Sequence, residues 1–243
     1  MEWLLVLGAQ SDIAKAVARK FASNGTNLYL AHLNKKEIED FASDIEIRNG
    51  VKAIPLEFDA LKYKSHKKFF DSLSVKPDGI ICVFGYLGDN EKAITDFSEA
   101  EKIIDTNYKG AVSILNIAAE YYSGIRKGFI AGISSVAGDR GRQSNFIYGS
   151  AKAGFTAYLS GLRNMLSKSG VQVLTIKPGF VNTQMTEGME LPKVLTAEPD
   201  LVAENIFKAW KKKKDVIYVM PVWRYIMLII IHIPEFIFKK LSL

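Results

Sequence analysis

Cysteine is almost missing from this chain of 243 residues, and the one present, Cys82, excludes an intramolecular disulfide framework. A reducing compartment, the cytoplasm, is therefore expected, with Cys82 read as a small core residue in an apolar run. Histidine is nearly as scarce. Neither His32 nor His66 stands among cysteines or carboxylates at metal-ligand spacing, so no metal site is expected. No apolar run reaches the roughly 20 residues that would span a bilayer. The opening residues run straight into strand-like sequence, without the basic region and cleavable apolar segment of a signal peptide. No internal repeat of roughly 20–50 residues suggests a solenoid. A basic stripe interleaved with exposed aromatics is also absent. Of the net charge of +6, residues 211–243 supply seven basic side chains against two acids, so the body is nearly neutral and no nucleic-acid partner is expected.

What the chain does have is alternation. Short apolar runs at 3–7, 27–33, 52–58, 80–84, 129–133, 171–176 and 216–220 read as strands. Helical patterns lie between them, at 13–21, 35–48, 63–73, 98–122, 148–167 and 200–213. Strands alternating with helices of this length imply parallel pairing through right-handed crossovers. The expectation is an α/β fold: one doubly wound, parallel, seven-stranded sheet, with an irregular polar stretch at about 180–199 and an apolar helical tail at the C-terminus.

Three local features suggest chemistry. Tyr148 and Lys152, four apart on a helix, share a face, and a nearby ammonium would lower the phenol's pKa toward a usable proton donor or acceptor. The same spacing also describes an ordinary helix with a buried tyrosine and a surface lysine. Ser135 closes the apolar run 129–133, at the carboxyl end of a strand, where open α/β folds collect their sites. Gly8 opens a strand-to-helix turn, Gly8-Ala9-Gln10-Ser11-Asp12-Ile13-Ala14, where a helix N-terminus favours an anion. A plain helix cap would explain that turn as well.

These features, taken with Asn107-Tyr108-Lys109-Gly110, Ser134-Ser135 and Pro178-Gly179 in this order, resemble the short-chain dehydrogenase/reductase family over roughly residues 3–220. The resemblance implies a Rossmann-type sheet and hydride transfer between a nicotinamide and a carbonyl or carbinol carbon. By position, Tyr148 is the acid or base, Lys152 holds the cofactor ribose and tunes Tyr148, Ser135 binds the substrate oxygen, and Asn107 supports a proton-relay water. Cofactor contacts are implied at Gly8, Ser11, Asp12, Ile13, Asn34, Lys35, Asp59, Gly85, Tyr148, Lys152, Pro178, Gly179, Val181 and Thr183. Asp12 and Ala14 replace two glycines of the family turn, so Asp12 is expected to turn from the pyrophosphate and cap or complement its helix. No acid stands at 31–34, where an NAD enzyme would hold the ribose diol. Lys35 or Lys36 would suit a 2′-phosphate, so NADP is the expected cofactor and NAD the alternative. A catalytically silent dinucleotide-binding scaffold is the reading from another class.

The tail at 221–243 is set apart from the 1–220 catalytic domain. Its apolar body, flanked by Trp, Tyr, Arg and Lys and with Lys211 to Lys214 expected beside it, suits an interfacial segment at 221–240 on the inner face of a membrane. The same segment would also suit a homodimer or homotetramer interface. Among family members the tail and the Gly8 turn are most similar to reductases of lipid-linked keto-sugars, such as the decaprenylphosphoryl keto-pentofuranose type. A long-chain keto-lipid reductase is the alternative. The substrate pocket, for a small-molecule or lipid-linked carbonyl, is expected between Gly85-Tyr86-Leu87, the 136–147 loop and the 180–196 stretch. Tyr86, Arg140, Arg142 and Gln143 are candidate contacts or solvated residues.

Overall fold

A computed structural model describes residues 1–241; residues 242 and 243, the end of the expected tail, lie outside the described residues. The strands and helices, in chain order, are β1 (Trp3–Leu7), α1 (Asp12–Ala22), β2 (Asn27–His32), α2 (Glu39–Asn49), β3 (Ala53–Glu57), α3 (Tyr63–Asp71), β4 (Gly79–Cys82), α4 (Asn90–Thr95), α5 (Phe97–Ile104), α6 (Ala111–Ile125), β5 (Gly128–Ile133), α7 (Phe146–Leu166), β6 (Val171–Lys177), β7 (Phe180–Val181), β8 (Thr196–Ala197), α8 (Pro199–Lys211), β9 (Val216–Tyr218), α9 (Pro221–His232) and α10 (Glu235–Phe238). The main sheet has seven parallel strands in the order β3-β2-β1-β4-β5-β6-β9.

Both faces of this sheet are covered, which is why its strands are continuously apolar rather than alternating. Leu4 and Val6 of β1 face a core with Val17 and Phe21 of α1 and Ile206 of α8; Trp3, Leu5 and Leu7 face another with Phe70, Ile114, Tyr122, Phe155 and Leu159. Strand order reverses at β1, which lies between β2 and β4, and ligands of open α/β sheets bind in the crevice at that point. Gly8, just past β1, is left-handed at φ +85°. A Cβ there would fall 2.6 Å from the backbone nitrogen of Phe84, beyond β4. Glycine is thus required by the approach of two loops and by the backbone conformation together.

Two departures from the expected elements, and the packing of the tail, bear on function. The helix expected at 98–122 is broken by a π-helical turn, Asp105–Gly110, between α5 and α6. The stretch expected to be irregular contains the parallel pair β7–β8. The tail forms α9 and α10, and α9 packs Trp223 and Met227 into a cluster with Val136. Lys211 to Lys214 are not beside this helix, contrary to expectation. They precede β9, where the Lys214 carbonyl accepts from Gln172 at the start of β6, while α9 follows the other end of β9. No helix among the described residues is long and apolar enough to cross a membrane.

Candidate active site

Ser135 follows β5, and Tyr148 and Lys152 lie in the first turns of α7, so the strand-loop-helix unit brings the three together. Lys152 is fully buried, with Nζ 3.0 Å from the carbonyl of Ile133 and 5.6 Å from the centre of the Tyr148 ring. Burial lowers the Lys152 pKa to about 8. Burial also raises the Tyr148 phenol to about 12, with the adjacent Ser135 hydroxyl pulling the other way. The expected lowering of the phenol by Lys152 is therefore not found, because the ammonium is committed to a backbone carbonyl and desolvation of the phenolate dominates. The Tyr148 phenol thus keeps its proton at physiological pH. Ser134, which the sequence reading left without a role, fixes this geometry: its hydroxyl donates to the Lys152 carbonyl at 3.0 Å and lies 2.6 Å from Thr156 Oγ1.

Asn107 is buried inside the π-helical turn, a distortion frequent at functional sites. Its side-chain amide donates to the carbonyls of Tyr86 (2.6 Å) and Ile103 (2.8 Å) and accepts from the Tyr86 N–H at 3.3 Å. The amide thereby holds the segment after β4. A Cβ on Gly85 would stand 2.9 Å from Asn107 Oδ1 and 3.3 Å from Lys152 Nζ, so the absence of a side chain there lets the three residues converge.

The crevice beside these residues has donors for a dinucleotide. Lys152 spends one of its three ammonium protons on the protein, and hydroxyls of a ribose would accept from the others. Ser11 caps α1 by accepting from the Ala14 N–H at 3.3 Å and keeps its hydroxyl proton to donate. The N–H groups of Asp12 and Ile13 lie in the first turn, where a helix offers no internal acceptor and favours an anion. The Asp12 carboxylate is not the cap. It sits in the first turn and accepts from the Gln184 N–H at 2.9 Å, tying α1 to the flap after β7. Beyond β2, Asn34 caps a short turn by accepting from the Lys36 N–H at 3.2 Å, and neither Lys35 nor Lys36 forms an ion pair among the described residues. An acid does reach this corner. Glu37 lies 3.0 Å from Asn34 Nδ2 and 3.3 Å from His32 Nε2, brought there by the turn after β2 from outside positions 31–34.

The other expected contacts have local roles. Asp59 Oδ1 accepts from the Leu61 N–H at 2.9 Å, and its carbonyl lies 2.9 Å from His66 Nε2. His66 is buried, with Nδ1 2.9 Å from Ser113 Oγ, a packed histidine rather than a ligand. Pro178 accepts from the Val136 N–H at 3.0 Å, Gly179 lies against Trp223, and Thr183 begins a capped turn in which Thr186 Oγ1 donates to the Val181 carbonyl at 2.7 Å.

Of the four candidate substrate contacts, two are engaged by the protein. Tyr86 donates to Glu99 at 2.7 Å, and Arg140 caps α9. Arg142 donates to no protein acceptor among the described residues, with its Nε buried. Gln143 is exposed, and its carbonyl accepts from Asn90 at 3.3 Å.

A profile of the short chain dehydrogenase family matches residues 2–193. An uncharacterized oxidoreductase of Mycobacterium tuberculosis is 33% identical over 241 residues, covering 98% of this chain and 96% of that one. A short-chain dehydrogenase from Sphingobium yanoikuyae, in complex with NADPH, superposes with a TM-score of 0.82 at 21% identity, covering 90% of this chain and 87% of that one. The actinorhodin polyketide ketoreductase with NADPH gives 0.79 at 19% identity, covering 90% and 95%. With a family match across most of its length and the Ser135, Tyr148 and Lys152 side chains gathered at the carboxyl end of the sheet, the chain belongs to the short-chain dehydrogenase/reductase family of oxidoreductases.

Proposed function

We propose that this oxidoreductase is an NADP-dependent reductase of a ketone on an amphipathic molecule, such as a lipid-linked keto-sugar. The observation that carries the reaction class is the convergence of Ser135, Tyr148, Lys152 and Asn107 around the crevice. Ser135 would hold the carbonyl oxygen, and Tyr148, protonated below about pH 12, would donate to the alkoxide as it forms. Lys152 would hold ribose hydroxyls with its remaining protons, and Asn107 would keep Gly85 and Tyr86 clear of them. The bound nicotinamide supplies the hydride. NADP is favoured by the uncommitted Lys35 and Lys36 and by the likeness in fold to two NADPH-bound structures.

Two observations support an amphipathic substrate. Tyr225, Leu228, Ile229 and Phe236 of α9 and α10 are more than half exposed, so the tail presents an apolar outer face near the cleft, suited to a lipid surface. Arg142, between Ser135 and Tyr148, offers an uncommitted guanidinium for an anionic linker. The reading is tested by following NADPH and NADH oxidation with 2-butanone and with a long-chain 2-ketone, each with and without anionic vesicles. Preference for NADPH and for the long ketone, increased by vesicles, is expected. Equal rates on both ketones with no vesicle effect would remove the amphipathic part, and dinucleotide binding without turnover of any carbonyl would favour the scaffold alternative.

A further inference from the structure

Arg140, five residues beyond Ser135, ends the tail helix. Its Nη1 donates to the carbonyls of Ile230 (2.6 Å), Ile231 (3.1 Å) and Ile233 (2.6 Å), and its Nη2 to Glu235 Oε2 (2.9 Å). The guanidinium carbon lies 3.6 Å from the centre of the Phe238 ring. The last carbonyls of a helix lack intrahelical partners and carry the negative end of its dipole. Helix α9 closes part of its own end, with the Ile233 N–H donating to the Ile230 carbonyl at 3.3 Å and His232 Nδ1 lying 2.7 Å from the Leu228 carbonyl. Arg140, ninety positions before Ile230, adds a cation at the carbonyls of Ile230, Ile231 and Ile233. Glu235 is 77% exposed and adds little as an ion pair. The carbonyl cap and the ring contact, made by a side chain only 14% exposed, carry the attachment.

The same helix braces the opposite lip of the cleft. Trp223 donates from Nε1 to the Leu195 carbonyl at 3.1 Å and meets Phe180 edge-on at 5.2 Å. Trp223 and Met227 pack with Val136, the residue after Ser135. One helix therefore spans both segments that bound the cleft, 136–140 and 180–195. A second anchor also holds the loop, because Asp139 accepts from Lys177 (2.5 Å) and Tyr218 (2.8 Å). That anchor fixes the loop to the ends of β6 and β9 without reaching the flap, whose Gln184 N–H is held separately by Asp12.

We infer that Arg140 is a positioning residue for the carbonyl chemistry: by capping α9 it ties the Ser135 segment to the helix that braces the 180–195 flap, so both walls of the cleft meet on one tail helix. This rests on the roles of Ser135 and Tyr148 proposed above. In this arrangement the tail is part of the catalytic unit, and its attachment, rather than its mere presence, governs turnover.

The test compares full-length wild type, Arg140→Ala and Arg140→Lys by hydrogen exchange, NADPH titration and steady-state reduction of a long-chain 2-ketone with 4-deuterated and undeuterated NADPH. In Arg140→Ala, exchange is expected to rise in 134–142 and 180–196 together with 221–233, while NADPH affinity stays within about twofold. The kcat should fall about 10- to 100-fold, the cost of a small misplacement of reacting groups, with a larger isotope effect and a smaller change in KM. Millimolar methylguanidinium should restore part of that kcat. Arg140→Lys, with charge but no fork, should lie between, and it serves if the alanine variant does not fold. Wild-type kcat in either folded variant, a loss that only tracks the unfolded fraction, or exchange confined to 221–241 would overturn the proposal. An absence of ketone turnover in wild type would count against the reductase reading, while the exchange comparison would still decide whether the tail and the Ser135 loop are coupled.

Discussion

Gly179 lies against the indole of Trp223 so closely that a Cβ on Gly179 would fall inside the van der Waals envelope of ring atoms Cε2 and Nε1. Pro178-Gly179 was expected as a cofactor element; its glycine is also the seat of the tail helix. Gly179→Ala should displace Trp223 and cost about 1–3 kcal/mol, the usual range for overpacking. At about 2–4 °C per kcal/mol for a chain of this size, thermal unfolding resolves that loss. An unchanged melting temperature would mean that α9 does not depend on this contact.

Tyr148→Phe keeps the ring that packs against the cluster of Ala93, Ala100 and Ile103 and removes only the hydroxyl. Fold and NADPH binding should persist, and turnover should fall by about 10²–10⁴, the range for a positioned acid. Rates within a factor of a few of wild type would place the proton donor elsewhere.

Lys152 links activity to stability through pH. Its folded pKa of about 8 lies below the ordinary 10.5. Between those values the unfolded chain binds more protons than the folded one, so this group makes stability rise with pH across that window. Below about pH 8 the folded state carries the full cost of burying the charge, on the order of 3 kcal/mol. Lys152→Met should therefore be more stable than wild type at pH 7 by on the order of 1–3 kcal/mol, an advantage that shrinks toward pH 10.5 in urea titrations. Catalysis should show the opposite face of the same titration: kcat/KM for reduction in the wild type should decline above about pH 8 as the charge is lost.

Lys35→Glu with Lys36→Glu should weaken NADPH binding far more than NADH binding, because neither lysine has another ionic partner among the described residues. The comparison belongs at fixed ionic strength, since exposed charge contacts are screened. Equal weakening of both cofactors would show that neither lysine meets the 2′-phosphate.

The sequence alone determined the sheet. Runs such as 3–7 and 129–133 are apolar on both faces and alternate with helix-period segments, and only a parallel sheet covered on both sides accommodates that pattern. The spacing of Tyr148 and Lys152 likewise placed both on one helical face, because helix geometry is local. Tertiary structure decided what depends on distance and solvent. Lys152 sits close to Tyr148 in sequence and space, yet the pKa of Tyr148 moved up because burial, which no four-residue spacing encodes, outweighed the cation. The acid near β2 is Glu37, brought back by a turn to positions the strand itself does not occupy. The tail was legible as apolar and helical, but its seat on Gly179 and Val136, its cap from Arg140 and its separation from Lys211 to Lys214 follow from where β9 delivers the chain. Those contacts join residues up to 93 apart, and periodicity, which reads neighbours only, carries no record of them.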